Sequence, residues 1–258
     1  MNHAQFWGGA AAPYQIEQSL RFNSADSAYL DRSVSTNGNT RTFTISLWFK
    51  KGKGSARHAF YGAGNTASPS VGGFWFRLDS QERLWAQGGG GTTISVSSSD
   101  LFRDHSAWYH LVCAIDTTQS TSSNRVKLYV NGRQISSFNT TVYPSQNYQF
   151  VVNTNNATQQ IGRAEDAGTF TYHVDGYVAE YNLIDGTQAA ATDFGETNSA
   201  GVWVPKAYTG SYGTNGFYLK FDPSATNGVG HDHSGNGNNW TASGFDTTNT
   251  TASTYDVM

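Results

Sequence analysis

The chain has 258 residues, of which 37% are hydrophobic, 14% aromatic and 14% charged, and its formal net charge at pH 7 is −3. This charge gives no electrostatic basis for binding nucleic acid. So many aromatic residues with so little charge also exclude an intrinsically disordered protein. Because the hydrophobic fraction is low, the interior has to be built largely from Trp, Tyr and Phe, each of which buries a large area. The 28 glycines are typical of a turn-rich β protein.

The first residues predict an arm that carries an anchor. In MNHAQFWGGAAAPYQI, the apolar pair Phe6 and Trp7 precedes a Gly/Ala-rich stretch, so residues 1–18 predict an arm without a core of its own. An apolar pair on such an arm is a candidate anchor that inserts into a partner. The same residues lack the charged and long apolar segments of a secretory signal, so we expect none.

Residues 19–245 predict a series of short strands. The segment TRTFTISLWFKK alternates cleanly and places Phe43 and Phe49 on one face and Trp48 on the other. The segment SAWYHLVCAID is apolar on both faces, as a central strand covered on both sides would be. Five tryptophans lie in predicted strands and are expected to be mostly core: Trp48, Trp75, Trp85, Trp108 and Trp240.

The spacing of the strands predicts the fold class. RVKLYVNGRQI predicts a β-hairpin, because Asn131 and Gly132 both tolerate positive φ. Strands recur about every 8–12 residues with no sustained helical period, which predicts an all-β sandwich or barrel. Residues 246–258 predict a C-terminal tail or a linker to further sequence.

Neither a disulfide nor a membrane helix is expected. The single cysteine, Cys113, lies in the apolar run LVCAI and predicts a buried, inert thiol. A fold without disulfides is expected of a protein that folds in a reducing cytosol. No apolar run approaches the ~18 residues that a membrane-spanning helix needs, so we expect no membrane contact.

The stretch HDHSGNGNNW is a candidate metal loop. Asp232, Asn236 and Asn238 supply oxygen atoms at alternating positions with glycines between them, as calcium loops do. His231 and His233 flank the aspartate and could instead bind a transition metal. An Asn-Gly turn that reverses the chain explains the same residues, and we favour it. We therefore predict no cofactor, with calcium at the three oxygen-bearing residues as the alternative.

The stretch KAYTGSYGTNGFY is a candidate contact surface. Tyr208, Tyr212 and Asn215 lie among glycines, a composition that keeps aromatic side chains accessible. Tyrosine suits both a sugar and a neighbouring subunit, because it has an apolar body and a polar tip. Of the two, we favour the contact with a subunit.

The order of the pieces carries a resemblance to a known family. SAWYHLVCAIDTTQSTSSNRVKLYVNGRQI, followed by an IGR strand and DGYVAEYNLIDGT, closely resembles laminin-G-like domains of the concanavalin A-like lectin/glucanase superfamily. The flanks QSLRFNSADSAYL, ATDFGETNSAGVWVPKAYTGSYGTNGFYLKF and DHSGNGNNWTASGF are similar to lectin-like domains in structural proteins of bacteriophages, many of them marine. The resemblance runs from about Gln18 to about Phe245.

The resemblance implies a jelly-roll sandwich of two antiparallel sheets with loops at the rim, where the superfamily often holds calcium. It also implies a virion structural protein, such as a fibre, decoration or tail component, attached to the particle, to neighbouring subunits or to host glycans. Such proteins form homo-oligomers, and fibres suggest a trimer. A carbohydrate-binding module of a cellular or exported protein is the alternative, since this fold hosts many functions.

The sequence predicts no catalytic residues. Hydrolases of the superfamily carry E-x-D-x-x-E on one strand, and this sequence has no E-x-D. Asp175 and Glu180 are five positions apart, so in a regular strand they point to opposite faces and cannot flank one sugar bond. The chain also lacks G-x-S-x-G, P-loop and G-x-G-x-x-G motifs. We therefore expect a protein that is not an enzyme.

Overall fold

A computed structural model describes residues 14–54, 56–64, 73–166 and 169–245, and it confirms the all-β class. The strands of this part of the chain are, in order, β1 Leu20–Phe22, β2 Tyr29–Ser33, β3 Thr42–Lys51, β4 His58–Gly64, β5 Phe74–Leu78, β6 Leu84–Gly88, β7 Ile94–Ser98, β8 Trp108–Asp116, β9 Val126–Val130, β10 Arg133–Gln134, β11 Phe138–Val142, β12 Thr158–Ile161, β13 Ala164–Asp166, β14 Thr169–Thr171, β15 Gly176–Asp185, β16 Gly195–Thr197, β17 Trp203–Pro205, β18 Phe217–Leu219 and β19 Thr241–Ser243. Short helical turns lie at Ser24–Asp26, Gly89–Gly91, Ser122–Asn124, Ala191–Asp193 and Gly228–Gly230. None of these turns is long or apolar enough to cross a membrane.

Two large antiparallel sheets form the sandwich. Sheet A has the order β1-β15-β3-β8-β9-β10, and β18 pairs with the second half of β15. Sheet B has the order β11-β7-β6-β5-β4-β12-β2-β19. The pairs β13-β14 and β16-β17 form two small additional sheets.

The core between the sheets is aromatic, as the composition predicts. The apolar face predicted for TRTFTISLWFKK is confirmed, because Phe43 and Phe49 are fully buried in the main cluster. Phe43, Phe74 and Phe150 meet edge to face, with ring centroids 5.3–5.7 Å apart. Such edge-to-face contacts add about 0.5–1.5 kcal/mol per pair beyond the area buried.

The outer face of sheet A is also covered, which explains why β8 is apolar on both faces. Residues 14–18 cross this face, and Ile16 packs against Trp48 and Ala179. Beside it, residues 187–216 cover a second cluster that contains Val112 and Ile184. The expectation that the central strand is covered on both sides is therefore confirmed.

A ring stack joins this cover to the sheet. His110 on β8 lies between Trp48, with ring centroids 5.0 Å apart, and Trp203, with centroids 5.9 Å apart. The indole Nε1–H of Trp203 donates to His110 Nδ1 at 3.2 Å. The other ring nitrogen, Nε2, must therefore carry the proton of the neutral ring, and it donates to Ser46 Oγ at 2.9 Å.

The Asn-Gly hairpin forms one wall of the slot that holds Trp203. Asn131 and Gly132 both have positive φ, 48° and 78°, as the hairpin prediction requires. A Cβ atom on Gly132 would lie 2.4 Å from the Trp203 ring, so this position accepts only glycine while the indole is in place. The Asn131 side chain accepts the backbone N–H of His110 at 2.7 Å, which links the turn to the stack.

A second histidine is buried in the same neutral form. His58 is fully buried, Nδ1 accepts the backbone N–H of Asp175 at 3.2 Å, and Nε2 donates to the Lys53 carbonyl at 3.0 Å. Burial lowers the pKa of His58 to about 4 and that of His110 to about 3. Protonation of either ring would place two N–H donors face to face.

We expect acid to destabilise the protein through these two rings. In the unfolded chain both histidines are protonated below the ordinary pKa of about 6.5. In the folded protein His58 is protonated only near pH 4 and His110 only near pH 3, so acid favours the unfolded state. The free energy of unfolding should therefore be unaffected by these groups above pH 6.5 and fall by about 1.4 kcal/mol per pH unit for each histidine below it. Urea denaturation between pH 7.5 and 4.5 measures this slope.

The variants His110→Gln and His58→Gln should each reduce the slope by about one histidine's share. Slopes identical to the wild type in both buried variants would contradict the assignment.

Candidate ligand-binding surface

The outer face of sheet B carries side chains that sequence reasoning placed in the core. On β5, Phe74 and Phe76 point into the core, so the alternating residues Trp75 and Arg77 point outward. Trp75 is only partly buried. The expectation that Trp75 is a core residue is therefore wrong, although the alternation in GGFWFRLD contains the signal for its outward position.

The neighbouring strand β6 repeats the pattern. Leu84 and Ala86 point into the core, so Trp85 and Gln87 point outward, and Trp85 is again only partly buried. The expectation that Trp85 is a core residue is wrong for the same reason. Trp48 and Trp240 are buried as expected, at 4% exposure each, and Trp108 is partly buried under the cover of sheet A.

Arg77 holds the outward-facing groups together. Its guanidinium carbon lies 4.2 Å from the ring centroid of Trp85 and 5.5 Å from that of Tyr172. The guanidinium donates from Nη2 to Gln87 Oε1 at 2.6 Å. The Trp85 indole donates to Ser95 Oγ at 3.1 Å, which fixes its position on the sheet.

Tyr172 closes the group on one side. Its ring meets Trp75 edge to face at 6.4 Å, and its hydroxyl accepts a hydrogen bond from Arg57 Nη1 at 2.8 Å. We call Trp75, Arg77, Trp85, Gln87 and Tyr172 the aromatic surface. It combines partly exposed ring faces with the partly exposed amide of Gln87, while Arg77, only 4% exposed, holds these groups from beneath. Partly exposed rings beside an amide suit stacking and hydrogen bonding with a polar ligand that has apolar faces.

The tyrosines predicted as contacts lie in the cover of sheet A. Tyr208 stacks on Phe194 with centroids 5.0 Å apart and donates its hydroxyl to the Ser211 carbonyl at 3.2 Å. Tyr212 donates its hydroxyl to Asn182 Oδ1 at 3.0 Å, and burial raises its pKa above the usual value. Both residues pack against the outer face of sheet A, and both keep part of their surface exposed.

Asn215 was expected beside these tyrosines as an accessible contact, but only 2% of its surface is exposed. Its amide donates to the carbonyls of Thr36 at 2.8 Å and Asn153 at 3.3 Å. Its side-chain and backbone oxygens accept hydrogen bonds from the Arg32 guanidinium, at 3.2 and 3.0 Å. The residue therefore closes an interior network, and the expectation of a ligand contact is corrected.

Asp232 organises the loop that was considered for calcium. Its carboxylate accepts four hydrogen bonds of 2.8–2.9 Å, from the backbone N–H groups of Tyr218, Ser234 and Asn238 and from the Ser234 hydroxyl. These donors occupy the lone pairs that a cation would need.

The side chains of Asn236 and Asn238 also form hydrogen bonds that hold the loop in place. Their amide nitrogens donate to the carbonyls of Gly213, Thr214 and Gly216 at 2.7–3.0 Å, so they attach this loop to the preceding one. The donor set does not fit calcium. Within the described residues, no group of three or more His, Cys, Asp or Glu side chains is placed to hold a metal ion.

Two features remain: the predicted anchor, and the carboxylates of Asp175 and Glu180, which the sequence argues against as a catalytic pair. Phe6 and Trp7, the predicted anchor, lie outside the described residues. Asp175 forms an ion pair with Arg21 at 2.9 Å, whereas Glu180 accepts hydrogen bonds from two tyrosines in another environment. The two carboxylates therefore have separate partners and do not form a shared site.

We expect the Asp232 loop to respond to mutation and not to calcium. Asp232→Asn would place an amide donor against N–H donors and should lower the free energy of unfolding by about 2 kcal/mol. Asp222→Asn is the matched control, because Asp222 accepts the same kind of turn hydrogen bonds from Ser224 but is only partly buried, whereas Asp232 is 4% exposed. Thermal unfolding with calcium or with a chelator measures the effect, and a wild-type melting temperature that rises with calcium would contradict it.

Comparison with known proteins identifies the fold. The overall arrangement is similar to a heptameric SAP-like pentraxin from Limulus polyphemus, with a TM-score of 0.50, 15% identity, and coverage of 70% of this chain and 81% of that one. A sialidase CBM40 from Ruminococcus gnavus bound to α2,3-sialyllactose matches with a TM-score of 0.44 and 12% identity over 69% of this chain and 90% of that one. Mouse laminin α1 domains LG4-5 match with a TM-score of 0.44 and 13% identity, over 66% of this chain and 41% of that one.

At such identities the structural similarity concerns the fold alone, and no curated protein matches the sequence. A laminin G family model, described as the concanavalin A-like lectin/glucanases superfamily, matches residues 22–192. The match agrees with the sandwich of two antiparallel sheets and confirms the jelly-roll expectation. Because the model covers more than half of the sequence, the chain belongs to the concanavalin A-like lectin/glucanases superfamily.

Proposed function

We propose that this chain is a non-catalytic attachment domain that binds a carbohydrate on the aromatic surface of sheet B. The observation that carries the proposal is the pair of partly exposed indoles, Trp75 and Trp85, on adjacent strands of an outer sheet face. Large aromatic side chains that remain open to solvent beside hydrogen-bonding groups mark binding sites more often than scattered apolar residues do.

The distribution of cover over the two sheets supports this choice of face. Residues 14–18 and 187–216 cross the outer face of sheet A, and Ile16, Phe194 and Trp203 among them pack against it. On sheet B, the part of the outer face formed by β5 and β6 presents its two indoles and the amide of Gln87 with partial exposure. A sugar ring could stack its C–H face on an indole while its hydroxyls bond to the amide.

The composition of the surface supports binding without chemistry. Hydrolysis of a glycosidic bond generally requires two carboxyl groups on either side of that bond. The aromatic surface, as defined by its five residues, contains an arginine and a glutamine but no carboxylate. The domain would therefore hold a glycan and release it unchanged.

We propose further that the domain belongs to a phage virion, as a fibre, decoration or tail component. The support is the sequence resemblance from about Gln18 to about Phe245 to lectin-like domains of phage structural proteins. In that setting, the arm would dock on the particle with Phe6 and Trp7 as the anchor, while residues 14–18 remain packed on sheet A. Other virion proteins and further copies of the chain would be its neighbours, and the glycan would belong to the host surface. A carbohydrate-binding module of a cellular or exported protein would use the same aromatic surface.

Mass spectrometry of purified virions tests the placement. The particles are purified from a phage whose genome encodes this chain. If the domain is a virion component, its peptides should be present in them in stoichiometric amounts. Their absence from such particles, together with glycan binding by the isolated protein, would leave the cellular module as the better account.

A glycan array tests the binding surface. Trp85→Ala should weaken the binding of each glycan that the wild type binds at least tenfold, because truncating a tryptophan that acts as a binding hot spot costs about 2 kcal/mol or more. Tyr208→Ala is the control, since it removes an aromatic side chain from the cover of sheet A and should leave the affinity unchanged in a folded protein. Loss of binding in Tyr208→Ala but not in Trp85→Ala would move the site to the predicted rim and overturn the proposal.

A further inference from the structure

A second candidate site lies on sheet A, where β15 contains a bulge at Glu180. The strand pairs with β1 up to Val178 and with β18 from Tyr181 onward, so Glu180 lies between its two edge partners. The register against β3 shifts between Ala179 and Asn182, and Glu180 has a φ of 49°, which is unusual for a residue with a side chain. The extra residue directs the Glu180 side chain to the outer face of the sheet.

The Glu180 carboxylate is buried without a cation. Only 9% of the residue is exposed. In the part of the chain that the structure describes, none of the ion pairs within 4.0 Å involves Glu180. Tyr14 donates its hydroxyl to Oε2 at 2.5 Å, and the Tyr218 hydroxyl lies 2.7 Å from both oxygens. Oε1 therefore accepts from Tyr218 alone and keeps a lone pair for a further donor.

The buried Glu180 carboxylate lacks the cation that usually offsets the loss of hydration. Buried carboxylates in folded proteins are generally paired with a cation, because two neutral hydroxyl donors replace only part of the lost hydration. The same burial raises the pKa of Glu180 above the ordinary value. A cation delivered to the open lone pair would restore the missing charge balance.

A cavity of about 290 Å³ opens onto this carboxylate. It is lined by Tyr14, Gln15, Glu17, Gln18, Glu180 and Lys220. Two carboxylates face one basic side chain, and the two glutamine amides supply acceptors as well as donors, so negative charge predominates when both carboxylates are ionised. The volume is close to the lower limit of small-molecule sites, which suits a ligand about the size of one sugar ring.

Lys220 does not supply the missing charge in this structure. Its ammonium forms no ion pair with Glu180 and lies 5.9 Å from the ring centroid of Tyr218. Its charge nevertheless favours the ionised form of Glu180 from a distance. Lys220 would therefore compete with a cationic ligand for the same carboxylate.

We propose that this cavity binds the primary ammonium group of a small amine, with Glu180 Oε1 as the principal acceptor and Glu17 as a second one. An ammonium carries three N–H donors, no acceptor and a positive charge, which matches a cavity in which two carboxylates face one basic side chain. The Tyr14 ring can add a cation–π contact. The site is separate from the aromatic surface and does not depend on it.

Titration with glucosamine, and with glucose as the neutral counterpart, tests the proposal on the full chain at pH 7 by NMR chemical-shift mapping. Glucosamine should shift the resonances of residues around Glu180 and bind at least tenfold more tightly than glucose. n-Butylamine distinguishes the source of the affinity: binding equal to that of glucosamine would show that the ammonium group suffices, and weaker binding would show that the sugar ring contributes. Equal affinities for glucose and glucosamine would overturn the proposal.

Three variants locate the ammonium. Glu180→Gln should reduce the affinity for glucosamine at least tenfold, Glu17→Gln should reduce it less, and Lys220→Gln should increase it because a competing cation is removed. Glu17 and Lys220 are more exposed than Glu180, so these two variants keep the test valid if Glu180→Gln fails to fold. Unchanged affinity in both Glu17→Gln and Lys220→Gln would contradict the site.

Trp85→Ala separates this inference from the proposed carbohydrate binding on sheet B. It should leave glucosamine binding at the cavity intact while it weakens glycan binding at the aromatic surface. Failure of the glycan array would therefore not affect the cavity, and failure of the glucosamine titration would not affect the aromatic surface.

Discussion

The stack of Trp48, His110 and Trp203 is the constraint on which the rest of the architecture depends. A sandwich shares one core between its sheets, but sheet A is apolar on both faces and needs a second layer. The indole of Trp203 attaches that layer, through its ring contact and its hydrogen bond to a histidine that has to remain neutral. The cover made by residues 187–216 thus depends on one buried ring as well as on apolar contact.

This division of the two sheets determines where a ligand can bind. Sheet A uses its outer face for stability, and the gap in its cover is the cavity beside Glu180, between β1 and β18. Sheet B leaves part of its outer face open, and the alternation of its strands places Trp75 and Trp85 there. Two surfaces of different chemistry therefore lie on opposite layers: one is aromatic with an exposed amide, and in the other two carboxylates face one basic side chain.

Local patterns in the sequence predicted the strands and the main core face, because alternation and turn chemistry act over a few residues. The same alternation places Trp75 and Trp85 on the outer face of sheet B, but their size and apolar character suggest burial. Which outer face of the sandwich is covered depends on segments that are distant in the sequence. The burial of Asn215 could not be predicted, since its partners Arg32 and Asn153 are far away in the sequence. The bulge at Glu180 likewise follows from the exchange of edge strands and has no local sequence signal.

The exchange of partners along β15 has a consequence for solubility. A long, unpaired border strand offers a row of free amide and carbonyl groups to which another polypeptide can add. Here that border is divided between β1 and β18, which have three residues each, and the bulge interrupts the ladder between them. This margin of sheet A is consequently short and irregular, which disfavours the addition of a further strand there.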